Sequence, residues 1–422
     1  MQLVEKHVVK STDKYYSEAD ELAFKSKNLC NAANYVIRQS FIFGWGYLNY
    51  NKMYNLMKFH EAYRALPAKV SQQVLMLLDK NWQSYFEALV AYKLEPEKFT
   101  GLPQIPKYKD KVKGRNVLTY TIQAISKRQL KKGIIKLSGT NIQIRTQVSP
   151  EKICQVRVVP KCDCYVIEVI YDKPESTQLQ NKLVASIDLG LNNLAALTSN
   201  LPGFIPLLIN GRPLKCLNQF YNKRKAQLQS QLKGNRKTSS RIQRLTRCRN
   251  QKVDNYLHHT SRFIIDYLVS AGIGTLVIGL NAQWKNEINL GKRTNQNFVS
   301  IPHTRLIEML QYKAELVGIK AIVHEESYTS QSSFLNLDPI PVYGEEVKSE
   351  VVFSGKRIKR GLYKTNDGRL INADVNGSYN SLRKAIPDAF CQGIESCVVQ
   401  PRRVNPLKVK AKGEGQKLPK AV

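Results

Sequence analysis

The chain predicts two successive architectures: an α+β amino-terminal lobe, then an α/β domain. Three observations carry this. Between 116 and 172, short runs such as Val117-Leu-Thr-Tyr-Thr-Ile122, Ile134-Ile-Lys-Leu137, Ile142-Gln-Ile-Arg145, Cys154-Gln-Val-Arg-Val-Val159 and Tyr165-Val-Ile-Glu-Val-Ile170 have the composition and alternation of half-buried strands. Ahead of them, 18–42 and 69–93 space their apolar residues as helices do. Beyond 183, apolar strands alternate with long helical stretches, which implies a sheet with helices on its faces.

Taken in order, residues 1–16 are expected to hold a first strand, with Leu3, Val8 and Val9 breaking a charged stretch. A helix over 18–42 starts at Ser17-Glu-Ala-Asp20 and runs through Ala32, Val36, Ile37 and Phe41. The aromatic run Phe41-Ile-Phe-Gly-Trp-Gly-Tyr47 either packs into a core beside the helices or stacks on bases. A second helix, 69–93, carries Val74, Leu77, Leu78, Tyr85, Leu89 and Tyr92. Residues 101–113 are basic and break regular structure. The strands that follow read as a small antiparallel sheet or β-barrel with the helices of about 18–93 inserted after its first strand, giving a lobe of 1–177 that closes on a linker at Lys173–Thr177.

The second domain, 178–390, opens on Val184-Ala-Ser-Ile-Asp-Leu-Gly190 and continues with Ile205-Pro-Leu-Leu-Ile209. A basic helix over 215–252 and another over 253–271 are expected next, then the strand Thr275-Leu-Val-Ile-Gly279 and a polar loop to Pro302. A helix over 302–317 leads to the strand Ile319-Lys-Ala-Ile-Val323. An insertion over 332–371 contains no cysteine. The tail, 391–422, has seven basic residues in its last 22 and is expected to be disordered.

Charge narrows the function classes. Sixty-five Lys and Arg against 33 Asp and Glu give +32, which points to a polyanion, nucleic acid first. A polybasic membrane-surface protein is the rival, but the chain has no apolar run of about 18 residues, no lipidation motif and no signal-peptide core at Met1-Gln-Leu-Val-Glu-Lys6. A cytoplasmic protein without a membrane partner is therefore expected. The eight cysteines include no CxxC pair, and Cys162-Asp-Cys164 has no second pair near it in sequence, so reduced thiols are the expectation. Between Lys223 and Lys252 lie eleven Lys or Arg and no acid. Lys223, Arg224, Lys225, Arg236, Lys237, Arg241, Arg244, Arg247 and Arg249 are the candidate phosphate-binding residues, against the plainer reading of a solvated helix face.

Asp188 is the pivotal acid. The apolar strand Val184–Ile187 delivers it to a turn, and a carboxylate in such a place needs a partner, a hydrogen bond or a metal. Phosphodiester cleavage by two metals needs hard oxygen ligands converging from separate elements. Two other places qualify. Asp374 sits at a helix start in Asn372-Ala-Asp-Val-Asn-Gly-Ser-Tyr-Asn380, where Asn372 is a possible cap. Glu325 and Glu326 follow the 319–323 strand and point to opposite faces if extended, so one of them is expected to face a site. By alternation Ile322, His324 and Glu326 share a face, which favours Glu326, with Glu325 as the alternative.

Ala185-Ser-Ile-Asp-Leu-Gly190, the basic helix, Tyr328-Thr-Ser-Gln331 and Asn372-Ala-Asp-Val-Asn-Gly377 occur in the order found in TnpB proteins, which the chain resembles over nearly its whole length. These are RNA-guided nucleases encoded by transposable elements and related to type V CRISPR effectors. The resemblance implies a wedge-like barrel with a recognition part, then an RNase H-like (RuvC-like) nuclease domain. It implies an Asp–Glu–Asp constellation with Mg2+ in a two-metal site, a guide RNA, and target DNA cut beside a short adjacent motif. Asp188 matches the first acid and Asp374 the last. The family's usual glutamate falls at Gly279 or a neighbour that is not acidic, and the paired cysteines of its zinc ribbon are missing, so no zinc is expected. One branch of the family shares both departures and is thought to use a relocated glutamate, for which Glu326 is the candidate. A working monomer is favoured. The other functions considered are a guide-directed DNA-binding repressor without cleavage, and a DNA transposase acting without RNA.

Overall fold

A computed structural model describes residues 1–280, 300–342, 352–391, 393 and 396–408. The chain forms two compact units, 1–173 and 174–422.

In the first unit β1 (Gln2–Lys10) precedes α1 (Tyr16–Ile42), α2 (Tyr50–Met57), α3 (Glu61–Arg64) and α4 (Ala68–Leu94). Then come β2 (Leu118–Thr121), α5 (Lys127–Leu130), β3 (Ile134–Lys136), β4 (Gln143–Arg145), β5 (Ile153–Lys161) and β6 (Cys164–Asp172). The main sheet is antiparallel in the order β1-β6-β5-β2. It is open rather than a barrel: among the described residues β1 and β2 remain edges, and β3 pairs only with β4 as a separate hairpin. Trp82 of α4 is fully buried and its indole N–H donates to Asn34 of α1 at 3.0 Å, which fixes the two long helices against each other.

The basic stretch after α4 is not loose. Polar side chains along α1 hold its backbone: Asn34 Nδ2 donates to the Pro106 carbonyl (3.0 Å), Asn31 pairs with both the N–H and C=O of Lys109 (2.9 and 2.8 Å), and Lys27 Nζ donates to the Lys111 carbonyl (2.7 Å). Lys27 is buried, which pulls its ammonium below the usual lysine range. With its main chain tied inward, the stretch exposes Lys107, Lys111 and Lys113.

The second unit contains β7 (Val184–Leu189), β8 (Asn193–Ser199), β9 (Leu207–Asn210), α6 (Arg212–Ser230), α7 (Ser240–Ser270), β10 (Thr275–Gly279), α8 (His303–Glu315) and β11 (Lys320–His324). It ends with the small sheet β12 (Lys356–Lys359), β13 (Leu362–Lys364) and β14 (Leu370–Asn372), then α9 (Ala373–Ala385) and β15 (Arg402–Val404). The main sheet runs β11-β10-β7-β8-β9-β15, with β8 antiparallel to both its neighbours and the other pairs parallel. Alternation along β7 and β10 serves both faces. Ile187 and Ile278 pack in a core with Leu257 and Leu268 of α7 and Leu310 of α8, while Val184 and Val277 meet Leu382 of α9.

Two boundaries differ from expectation. The basic run is not one helix over 215–252. It breaks after Ser230, where Gly234 takes a positive φ of 61°, and restarts at Ser239, whose hydroxyl caps Ile242 N–H. From there one helix continues to Ser270, through the point where a second helix was expected. The tail is also partly structured. Val398 is buried and β15 adds a parallel strand to the β9 edge, with Arg402 N–H on the Pro206 carbonyl at 2.8 Å. Residues 409–422 lie outside the described residues.

Candidate active site

Asp188 stands near the end of β7, level with Ala196 of β8. On the other side Ile187 pairs with Ile278, so the next residue, Gly279, stands beside Asp188, and Gly279 in turn pairs with His324 of β11. A Cβ built on Gly279 would run into the Glu326 carboxylate. The side chain two residues past β11 thus fills the volume that a side chain at 279 would take. A Cβ on Gly377 of α9 would sit 3.0 Å from Asp188 Oδ2, so the helix approaches this carboxylate at a residue without a side chain.

Asp374 opens α9. Asn372 caps the helix by accepting from the N–H groups of Asp374 (3.0 Å) and Val375 (3.2 Å). One Asp374 oxygen accepts from Asn193 Nδ2 at 2.8 Å, and the other faces the Arg357 guanidinium at 3.4 Å. Glu325 is engaged elsewhere: one oxygen takes Lys384 Nζ at 2.5 Å, the other the Ser327 N–H at 2.6 Å. Of the two neighbouring glutamates, the chain directs Glu326 toward Asp188 and pairs Glu325 with α9.

The electrostatics follow from the crowding. Burial, then the charges of Glu326 and Asp374, push the Asp188 carboxyl well above the usual range, with Arg357 opposing. Burial is also the main cause raising Glu326 to about 7, with Glu325 adding to it and Lys384 opposing. Three carboxylates from β7, the segment after β11 and the start of α9 therefore converge. The donor set is all hard oxygen, the chemistry that suits Mg2+ rather than a thiophilic metal. Among the described residues no three His, Cys, Asp or Glu are drawn together closely enough to hold an ion as they stand.

Buried polar side chains of α9 brace the site from behind. Asn380 Nδ2 donates to the carbonyls of Thr329 (2.9 Å) and Ser332 (2.7 Å), and Asn376 both donates to Ser332 O (2.8 Å) and accepts from Phe334 N–H (2.9 Å). Both asparagines are wholly buried, and Tyr328 holds a positive φ of 64° where the loop begins. The cysteine-free insertion is fastened by hydrogen bonds and rings. Asp338 accepts from the Ser333 N–H, the Ser354 N–H and the Ser354 hydroxyl at 2.9, 2.9 and 2.6 Å, while Phe334 stacks on Tyr379 at 4.4 Å. Asn193, Arg357 and Lys384 were not foreseen from the sequence. Only the Asn-x-x-x-Asn spacing of 376 and 380 carried a readable signal, one helix face.

The basic candidates divide. Lys223, Arg224 and Lys225 lie on α6, Arg236 and Lys237 in the connection, and Arg241, Arg244, Arg247 and Arg249 on α7. Arg224, Arg241 and Arg244 come together along a groove of about 440 Å3 floored by Leu228 and Leu245. Arg249 departs from the expectation of a phosphate contact. It turns inward to Asn218 (2.8 Å) and the Ser300 carbonyl (2.7 Å), where burial lowers its guanidinium from the usual range. Its role in this fold is to tie α6 to α7.

Two segments of the chain match known protein families. Residues 164–285 match the OrfB_IS605 family, described as a probable transposase, and residues 303–381 match the Cas12f1-like TNB domain. The chain is 25% identical to the TnpB-like protein ORF457 of Acidianus two-tailed virus, over 92% of this chain and 88% of that one. It is 31% identical over 138 residues to the CRISPR-associated endodeoxyribonuclease Cas12f1 of Sulfoacidibacillus thermotolerans, an alignment spanning 32% of this chain and 27% of the relative. A Cas12f1–sgRNA–target DNA complex shares the fold, with a TM-score of 0.52, 14% identity and coverage of 87% of this chain and 83% of that one. With the first of these segments ahead of the second along one chain, the protein is a relative of the TnpB-like and Cas12f1 proteins.

Proposed function

We propose that the chain is an RNA-guided DNA endonuclease of transposable-element origin, with Asp188, Glu326 and Asp374 as its catalytic carboxylates. The observation that carries this reading is the Glu326 carboxylate lying in the volume of a Gly279 side chain, next to Asp188. The domain of 178–390 is read as RNase H-like, which the sheet order with an antiparallel second strand supports.

Mg2+ bound at these carboxylates would activate a water and stabilise the leaving 3′ oxygen in two-metal phosphodiester hydrolysis. The chain's own residues prepare the place. Asn193 fixes one oxygen of Asp374, Lys384 keeps Glu325 away from Asp188, and Gly377 leaves space beside Asp188. Glu326, with its carboxyl near 7, gives up its proton close to neutral pH. Sequence choice would rest on guide RNA pairing beside a short target-adjacent motif. Arg224, Arg241 and Arg244 are read as phosphate contacts.

A second reading, a guide-directed DNA-binding repressor without cleavage, is favoured by one observation: Asp374 is paired with Arg357. One experiment separates them. The protein purified with its associated RNA is given a plasmid target and Mg2+, beside the variants Asp188→Ala and Glu326→Gln. Cleavage by the parent alone is expected. An uncut plasmid with a footprinted target selects the repressor, and cutting by Glu326→Gln at the parent rate sinks the site assignment.

A further inference from the structure

The aromatic run between α1 and α2 sends its side chains in two directions. Phe41 and Tyr47 enter the core of the first unit, with ring centroids 5.5 and 6.0 Å from that of Trp82. Phe43 and Trp45 do the opposite: they are 62% and 76% exposed, their centroids 5.6 Å apart and their planes 34° from parallel. Single exposed apolar side chains are ordinary, whereas adjoining ones form the kind of patch that marks an interaction site, and these two rings adjoin.

The turn that carries them is built rather than loose. Phe43 N–H bonds to Gln39 O (3.0 Å) and Trp45 N–H to Ser40 O (2.9 Å), and the Ser40 hydroxyl returns to Gly46 O at 2.7 Å. Gly44 and Gly46 flank Trp45 at φ values of 75° and 88°, which only glycine takes without strain. The backbone is thus folded back so that two rings project from one short turn.

Charge says what kind of partner fits. No Asp or Glu occurs between Glu21 and Glu61, a stretch whose cations Lys25, Arg38, Lys52 and Lys58 are not buried, Lys27 being turned inward. Nearby in sequence, Phe59 is 69% exposed, with Lys58 Nζ 5.2 Å and the Arg64 guanidinium 5.5 Å from its ring centroid. Two exposed rings in a stretch of sequence with cations and no acid match a nucleic-acid strand, whose bases stack on aromatics while its phosphates meet cations; the carboxylate beside the turn, Asp79 of α4, is engaged by the Tyr47 hydroxyl. We infer that the Phe43–Trp45 turn is a stacking site for an unpaired nucleobase, distinct from the carboxylates and from the arginine groove of the second unit. The inference rests on the nucleic-acid-binding reading above.

The test uses the full-length chain with a single-stranded oligonucleotide and a blunt duplex of the same sequence, each followed by fluorescence anisotropy across a salt series. Phe43→Ala and Trp45→Ala are expected to weaken single-strand binding by roughly tenfold. The duplex affinity and the salt slope should stay as in the parent, and Trp45→Phe should recover most of the loss. Both side chains are exposed, so circular dichroism should report an unchanged fold. If the parent binds and both alanine variants bind equally well, the stacking site is wrong while nucleic-acid binding stands. If the parent binds neither probe, the nucleic-acid reading falls and this one with it. If the parent sediments as a dimer that Trp45→Ala dissolves, the turn is an interface with a second copy and the inference is overturned.

Discussion

The carboxylate site and the arginine groove both belong to the second unit, and they hold charge in opposite ways. At the carboxylates, like charges are forced together by the strand register and the α9 contact, so each side chain depends on its neighbours' positions. Along α6 and α7, cations are spread over two helices and a connection, most of them exposed, and each acts nearly alone. With the function proposed above, the first arrangement would concentrate activity in a few atoms and make single substitutions severe. The second distributes it, so that losses accumulate in steps.

The largest expected effect tests the concentrated half. Asp188→Ala or Glu326→Gln should lower the single-turnover cleavage rate by about a thousandfold or more, the loss of several kcal/mol of transition-state stabilisation. Glu325→Gln, which removes the charge paired with Lys384 and a secondary contribution to the acidity of Glu326, should retain most of the rate. Equal losses for the two glutamates would break the distinction between them. Next comes Asn193→Ala, which frees one Asp374 oxygen and should weaken Mn2+ binding, followed by electron paramagnetic resonance, by about 10–100-fold.

Acidity sharpens the same contrast. Asp188 and Glu326 hold their protons more tightly folded than unfolded, so their contribution to stability is full below the ordinary carboxylate range. It is lost as pH rises through about 7 for Glu326. A divalent ion must displace those protons, so the Tm gain from Mg2+ should be large at pH 8 and small at pH 5.5. A gain independent of pH would show that these carboxyls do not face the ion.

For the distributed half, replacing Arg224, Arg241 and Arg244 together by Gln should reduce the salt slope of nucleic-acid binding by about 0.7–0.9 per lost phosphate contact. Cleavage of bound target should be little changed. The smallest effect distinguishes Arg249 from its neighbours. Arg249→Leu removes the guanidinium donor from the Asn218 side-chain oxygen and from the Ser300 carbonyl, a cost of about 1–3 kcal/mol read in urea unfolding, with little change in salt slope.

Much of this was legible in residue order, and the failures are instructive. The six strands of the first unit and β7, β9, β10 and β11 of the second were readable because half-buried and fully buried strands leave a local pattern, whereas β8 and the short strands β12, β13 and β14 were not read. Asp188, Asp374 and the Asn372 cap each sit where local sequence places them. Glu326 was readable from parity along its strand, but the reason Glu325 is occupied was not: Lys384 lies 59 residues away and is brought in by tertiary packing. Arg249 misled because charge density looks the same whether a guanidinium meets solvent or Asn218. The break between α6 and α7 was hidden by a basic stretch with no acid in it, although Gly234 and Ser239 marked it. β15 has three residues and exists because β9 offers an edge, a fact about another part of the chain.

The overlap between Gly279 and Glu326 also constrains how such a site changes over generations. One volume is reachable from two adjacent strands, and it accommodates one acid. Adding Glu at 279 while Glu326 stays would crowd a second carboxylate into filled space beside Asp188, and losing Glu326 first would leave the position empty. With the catalytic role proposed for Glu326, moving the third acid from one place to the other by single substitutions would pass through a crowded or an empty site. The paired exchange Gly279→Glu with Glu326→Gly would avoid both, making the end of β10 and the segment after β11 alternative addresses for the same chemical group.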